Sequence, residues 1–354
     1  MGDQQLTEAL KGEPANSIIT STIEKGSTVL VTGANGFIAS HVVNQLLLAG
    51  YAVRGTVRSP ARAQWMHDLF DPQYGADRFE TVVVPDMVAD GAFDAAVKGV
   101  SGIVHLASVL TFSNEYEAVV PPTVKGALNV LMSASKEAGV RSIVYTSSST
   151  AALLPQPDKE IVVTTETWND AAVHAARHEA NPDAFTVYAA SKTEAERAVW
   201  RAVAETRPPF QVCAVLPNAN FGRILQPGGE KGASTGSWVV SLFTGEVQGV
   251  DPVEIPPQYF VNVADDARLH VAALIDPACN GKRIFAFAQP FNWNDILAIL
   301  RKLRPDKEFR EDVDCGRDLS EVPNQEAEEL LRKHYGHGWT SLEESIRENV
   351  ATLA

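Results

Sequence analysis

Cysteine is scarce in this chain: three in 354 residues. Cys213, Cys279 and Cys315 stand far apart, with no CxxC spacing and no histidine clustered beside them. That excludes a disulfide scaffold and a thiolate metal site, and points to reduced thiols in a cytosolic protein. No His, Cys and carboxylate group has metal-ligand spacing either, so no metal is expected. Basic charge is also short, with 30 Lys and Arg against 44 Asp and Glu and a net charge of −14. A field of that sign does not grip nucleic acid or an anionic membrane, although a local basic pocket stays open. No run approaches the ~18 uninterrupted apolar residues of a membrane span. Met1-Gly2-Asp3-Gln4-Gln5-Leu6 lacks the basic-then-apolar order of a signal peptide, and Leu6 stands where a myristoylation signal needs Ser or Thr. The expected location is the cytoplasm.

What is present is ordinary for a globular protein, with 45% hydrophobic and 21% charged residues. At roughly 150 residues per domain the length suits about two domains, or one large α/β unit. Residues 1–26 are polar and aperiodic, an arm laid over the surface or a frayed end. Thr28-Val29-Leu30-Val31 is then a short apolar, β-branched run of the kind that forms a buried parallel strand. Helical spacing from Phe37 to Leu48 follows it, ended by Gly50. Strands are expected at 52–57, 79–84, 102–107, 142–146 and 211–216, with helices between them, notably over 123–138 and 187–204. This alternation predicts a Rossmann-type doubly wound parallel sheet, with right-handed crossovers and helices on both faces. After Pro217 glycine and proline break the rhythm. Residues 27–216 therefore read as a dinucleotide-binding domain, and 217–354 as mainly a smaller substrate lobe that returns to the sheet.

Thr32-Gly33-Ala34-Asn35-Gly36-Phe37-Ile38-Ala39 lies between the first strand and first helix. Glycines there let the backbone turn tightly and approach a pyrophosphate, which the free amides and positive dipole of the helix start attract. Ala39 in place of a third glycine still allows close helix–strand packing. Gly33, Asn35, Gly36, Phe37 and Ile38 are thus candidate cofactor contacts. An NAD site usually places an acid about 20 residues further on, to accept from the ribose 2′-hydroxyl. Arg54-Gly55-Thr56-Val57-Arg58-Ser59-Pro60-Ala61-Arg62 contains none. A guanidinium pairs with a 2′-phosphate, whereas a carboxylate repels it. NADPH is therefore the expected cofactor, with Arg58 as its main contact and Arg62 a candidate second. Asp86 and Met87, at the end of the third strand, are placed to flank the adenine, although such an Asp also caps helices.

Tyr188-Ala189-Ala190-Ser191-Lys192 puts a phenol and an ammonium one helical turn apart on the same face. An ammonium about 4 Å away favours the phenolate by up to ~4 kcal/mol at an effective dielectric near 20. At roughly 1.4 kcal/mol per unit this lowers the phenol pKa by nearly three units before desolvation opposes it. Thr146-Ser147-Ser148-Ser149-Thr150 ends the fifth strand, and Ser148 stands ready to donate to a carbonyl oxygen beside Tyr188. Turn capping accounts for some of these hydroxyls.

With His105-Leu106-Ala107-Ser108, these motifs make the chain resemble the extended short-chain dehydrogenase/reductase superfamily. Val53-Arg54-Gly55-Thr56-Val57-Arg58 and Phe260-Val261-Asn262-Val263-Ala264-Asp265-Asp266-Ala267 resemble its dihydroflavonol-reductase branch. Stretches such as Ser108–Asn114, Ser234–Trp238, Pro256–Tyr259 and Phe291–Trp293 are most similar to yeast and fungal NADPH-dependent aldehyde/carbonyl reductases. The resemblance runs from about residue 27 nearly to the end. It implies Tyr188 as general acid, Lys192 on the nicotinamide ribose, Ser148 polarising the carbonyl and Arg58 on the 2′-phosphate. Ala107, Ser108, Pro217, Asn218, Ala219 and Ser234 would line the cofactor. Thr123-Val124-Lys125-Gly126 replaces the Asn-Val-x-Gly element of many relatives, which puts an asparagine-mediated proton relay in doubt.

The same resemblance assigns Phe112, Trp238, Ile255 and Gln258 to the substrate cleft, although Phe112 and Trp238 equally suit a core. An apolar pocket with few polar groups fits aryl ketones, aldehydes or β-keto esters. The expected function is NADPH-dependent reduction of a small carbonyl compound by a monomer or homodimer. An NAD-dependent sugar-nucleotide epimerase or dehydratase and a non-catalytic NADP-sensing protein are the alternatives.

Overall fold

The structure is a computed structural model that describes residues 21–111, 113–247 and 250–353. In the first half, β1 (Thr28–Thr32), α1 (Phe37–Leu48), β2 (Ala52–Val57), α2 (Gln64–Tyr74), β3 (Phe79–Val83), β4 (Gly102–His105), α3 (Tyr116–Ala134) and β5 (Ser142–Thr146) alternate as expected. Two helices, α4 (Asp170–His178) and α5 (Ala184–Thr206), lead into β6 (Gln211–Pro217). The chain continues through β7 (Ala219–Phe221), α6 (Gly236–Thr244), β8 (Gln258–Asn262), α7 (Val263–Ile275), β9 (Arg283–Ala286) and β10 (Gln289–Phe291). It closes with α8 (Trp293–Leu303), α9 (Gln325–Tyr335) and α10 (Leu342–Asn349).

Seven strands form one sheet in the order β3-β2-β1-β4-β5-β6-β9, and every pairing in it is parallel. Such a sheet is buried on both faces, and the strands show it: β4, β5 and β6 are buried at every position. The strand order reverses direction between β1 and β4, so the crevice of the fold opens at their carboxyl ends. Gly55 lets β2 press against that edge, because a Cβ there would stand 2.7 Å from the Cβ of Ala34.

Residues 217–354 divide between two bodies. A three-stranded sheet, β10-β8-β7, packs with α6, α8 and α10 around Phe221, Phe260, Phe291 and Trp293. Between β8 and β10 the chain goes back: α7 packs on α1, β5 and β6, and β9 extends the large sheet beyond β6.

Two expectations change. Helix α3 starts at Tyr116 rather than near 123 and runs through Pro121 and Pro122. Proline costs a helix its hydrogen bonds, but Val119 and Val120 are buried against Val187, Ala190 and Ala176, and this packing outweighs propensity. The last part of the expected arm is not frayed: Ile23 is buried in the main core, and the Thr22 amide donates to the Ile275 carbonyl at 2.8 Å. Residues 1–20 of the arm lie outside the described residues. No helix among the described residues is long and apolar enough to cross a membrane.

Candidate active site

The crevice is pinned from below by one hydroxyl. Thr32 Oγ1, at the end of β1, accepts from the Leu106 and Ala107 amides at 3.0 Å each. Its single proton is left for His105 Nδ1, 2.9 Å away, so the imidazole is the neutral tautomer protonated at Nε2. Burial holds His105 down at about 3, and the Lys192 charge adds to the effect. This histidine locks the edge of β4 to that of β1, a role its place in a strand did not announce.

Above Thr32 the chain turns at Gly33, whose φ of +65° suits glycine. A Cβ there would come within 3.3 Å of the Ala107 backbone, so the turn and the β4 end meet closely. Gly33 and Ala34 donate to the Thr56 hydroxyl and carbonyl, both at 3.0 Å, and lash the turn to β2. Gly36 caps α1 without a side-chain bond, and no acid stands in the first turn, so the first amides of α1 are left for an anion. Asn35, Phe37 and Ile38 are half-buried along this turn.

Arg58 and Arg62 follow β2 and are exposed, with no side-chain hydrogen bond or ion pair among the described residues. Arg54, by contrast, is spent on Glu80 and on the carbonyls of Ala96 and Lys98. The Asp86 carboxylate accepts from the Val88 amide at 2.8 Å and so closes its own turn. Met87 nests over Gly126, where a Cβ would meet its Cε at 2.1 Å, and Asn129 holds its carbonyl at 2.9 Å. The glycine of the altered Thr-Val-Lys-Gly element thus makes room for Met87. Ser108 places a buried hydroxyl without a hydrogen-bond partner just beyond Ala107.

The reacting groups come from β5 and α5. Asp183 caps α5 through the amides of Phe185 and Thr186, which fixes Tyr188 in the second turn. Ser148 Oγ accepts from the Thr150 amide and hydroxyl, at 3.3 and 3.0 Å, and stands by the Tyr188 phenol, whose pKa it lowers. The Lys192 side chain is buried, with Nζ 3.5 Å from the Thr146 carbonyl and 5.9 Å from the Tyr188 ring centre. Burial lowers Lys192 to about 8, against an opposing pull from Glu196.

Here the electrostatic expectation needs correcting. Burial raises the Tyr188 phenol above its ordinary value, and what pulls it down is the Ser148 hydrogen bond rather than the lysine. The ammonium is turned to a backbone carbonyl, and desolvation disfavours both charged forms at once.

On the far side of the crevice, Asn218 accepts from the Ala219 amide at 2.8 Å in the step from Pro217 and β6 to β7. Ser234 has a left-handed φ of +50° just before α6. Trp238 packs edge-on to Trp293 at 6.0 Å, and Trp293 Nε1 donates to the Ile255 carbonyl at 2.7 Å, so these three form one wall of the small lobe. Gln258 is buried in β8, its amide donating to the Pro256 carbonyl at 3.3 Å. Phe112 lies outside the described residues.

Comparison with known proteins follows the same lines. Aldehyde reductase 2 of Sporidiobolus salmonicolor is 43% identical over 340 residues, 95% of this chain and 98% of that protein. Ketoreductase adrE of Penicillium rubens is 39% identical over 339 residues, 93% and 97% of the two chains. The solved structure of yeast methylglyoxal/isovaleraldehyde reductase Gre2 complexed with NADPH matches with a TM-score of 0.79 at 26% identity. That match covers 92% of this chain and 98% of Gre2. Residues 30–278 match the 3-beta hydroxysteroid dehydrogenase/isomerase family. Because that match takes in well over half of the sequence, the chain belongs to the 3-beta hydroxysteroid dehydrogenase/isomerase family, and is an oxidoreductase of the extended short-chain dehydrogenase/reductase type.

Proposed function

We propose that the chain is an NADPH-dependent reductase that converts ketones and aldehydes, among them aryl ketones and β-keto esters, to alcohols. The observation that carries the reading is the placement of the Ser148 hydroxyl by the Tyr188 phenol, with Lys192 one turn away, at the carboxyl edge of a parallel sheet. Relatives named aldehyde reductase and ketoreductase support the reaction class.

The residues present fit the cofactor. The Gly33 cradle and the unspent α1 amides suit a pyrophosphate, free Arg58 and Arg62 suit a 2′-phosphate, and the Ser108 hydroxyl is a buried polar atom awaiting a partner. Asp86 and Met87 would lie at the adenine, and Ala107, Pro217, Asn218, Ala219 and Ser234 toward the nicotinamide. NADPH supplies the hydride when bound.

Ser148 donates to the carbonyl oxygen and polarises the C=O bond. Tyr188 gives its phenolic proton to the same oxygen as the alcohol O–H forms, and is left as phenolate. Lys192, one turn along α5, orients the ribose. Trp238 and Ile255 would shape the apolar side of the pocket, and Gln258 would add a polar group to it.

The test is a panel of aryl ketones, aldehydes and β-keto esters, run with NADPH and NADH in parallel. Absorbance at the dihydronicotinamide band and product chirality are both read. The reading expects NADPH consumed one for one with alcohol, and a preference over NADH of at least ~10-fold. No consumption across the panel, or a preference for NADH, overturns it.

A further inference from the structure

Three consecutive residues at the end of β5 face three residues spaced one turn apart on α5. Thr146 takes Lys192 through its carbonyl, and Ser148 bonds Tyr188. Between them the Ser147 hydroxyl donates to Glu196 Oε2 at 2.6 Å.

Glu196 is fully buried, at 0% exposure, yet both of its oxygens are satisfied. Arg283 Nε, from edge strand β9, donates to Oε1 at 2.7 Å, and its terminal nitrogen donates to Oε2 at 3.2 Å. Trp200 Nε1 adds a bond to Oε1 at 3.0 Å. The remaining guanidinium nitrogen holds the Thr165 and Thr167 carbonyls at 2.8 and 2.7 Å, and the Trp168 ring lies 3.9 Å from the guanidinium carbon. A buried ion pair of this kind is weak evidence of stability, since apolar residues of equal volume often serve as well. A carboxylate with four bonds, set beneath the reacting groups, calls for another reason.

We propose that Glu196 is a positioning residue for the reduction: its carboxylate, clamped by Arg283, fixes the Thr146–Ser147–Ser148 segment against α5 and keeps Lys192 in its charged form. The inference rests on the reductase reading for its consequence, though not for its physical content. Among the described residues that face Lys192, Glu196 is the acidic support, one turn along the same helix. On its own helix these are Tyr188 and Glu196. From β4 comes neutral His105, and from β5 Tyr145, whose phenol burial keeps uncharged. Behind Thr146, on α7, stand His270, 2.8 Å from the threonine hydroxyl, and Asp266 at 3.3 Å from that imidazole. Arg283, the cation bonded to Glu196, spends its remaining nitrogen on the Thr165 and Thr167 carbonyls and lies over the Trp168 ring.

The test labels lysine at 13Cε and follows Lys192 by NMR against pH, with Lys192→Arg assigning the signal. Wild type is expected to titrate near pH 8. Glu196→Gln is expected to move this down by about one unit, and the pH at which kcat declines should move with it. Ser147→Ala keeps the charge and loses one tether, so it should leave the titration in place and lower kcat about tenfold with little change in KM for NADPH. Glu196→Gln/Arg283→Met removes both charges and serves if the single variant fails to fold; a downward shift smaller than that of the single variant is expected, because the opposing Arg283 charge leaves with the carboxylate. A Lys192 titration unmoved in folded Glu196→Gln or in the double variant overturns the proposal. Because the NMR titration needs no turnover, a wild type without reductase activity counts against the functional reading and leaves this measurement intact.

Discussion

Lys192 Nζ meets the Thr146 carbonyl at 3.5 Å and stands 5.9 Å from the centre of the Tyr188 ring. The lysine is thus held by the strand that carries Ser148, in a site where only 4% of the residue is exposed. A single neutral acceptor is poor compensation for a buried ammonium, which is why burial dominates its titration.

That burial has a cost in stability with a definite sign. The folded pKa of about 8 lies below the unfolded value of 10.5, so the native state binds its proton less tightly and the full penalty applies below pH 8. The difference corresponds to about 3 kcal/mol. Lys192→Met keeps the length of the side chain without the charge. It is expected to raise the thermal midpoint at pH 7 by a few degrees while abolishing turnover. A calorimetric scan decides the matter; a lower midpoint in the folded variant contradicts the argument.

Arg58 is free at the end of β2, whereas Arg54 is consumed by the fold. Arg58→Ala should therefore cost kcat/KM for NADPH about 10- to 100-fold and leave kcat/KM for NADH unchanged. Arg62→Ala should do the same to a smaller extent. Parallel kinetics with both cofactors measure it, and an equal loss for NADH would assign the arginine a structural role.

Two histidines make the protein sensitive to acid. His41, donating through Nε2 to the Arg223 carbonyl at 2.7 Å, is held at about 4, and His105 at about 3, both mainly by burial. Each stays neutral in the fold but gains a proton in the unfolded chain below about pH 6.5, so stability is lost as pH falls from there. At pH 5.5 the loss is about 1 kcal/mol for each. Urea unfolding at pH 7.5 and 5.5 should show a lower midpoint at the acidic pH, and His41→Gln should remove about half of the difference. Equal midpoints in the wild type would show that the imidazoles protonate within the fold.

The fold was legible because β-branched runs and helical spacing alternate at short intervals. Thr28–Thr32, Ala52–Val57 and Ser142–Thr146 fall where the apolar runs place them. The glycine turn was legible because its backbone needs are written in residue type. Local spacing did not reveal what depends on three-dimensional environment. The start of α3 is decided by Val119 and Val120 packing on α5, which two prolines conceal. The Tyr188–Lys192 spacing is real, but where the ammonium points and how much water surrounds it are properties of the packed crevice. Glu196 and Arg283 are 87 residues apart, and only the placement of β9 beyond β6 brings them together.

The central claim is that the Tyr188 phenol, bonded by Ser148, supplies the proton. Single-turnover reduction of an aryl ketone by the NADPH-loaded protein tests it most directly, comparing wild type with Tyr188→Phe and reading cofactor binding separately by fluorescence. The account predicts a rate for Tyr188→Phe lower by about 10³-fold with NADPH affinity little changed. Reduction by folded, NADPH-bound Tyr188→Phe at the wild-type rate would contradict it.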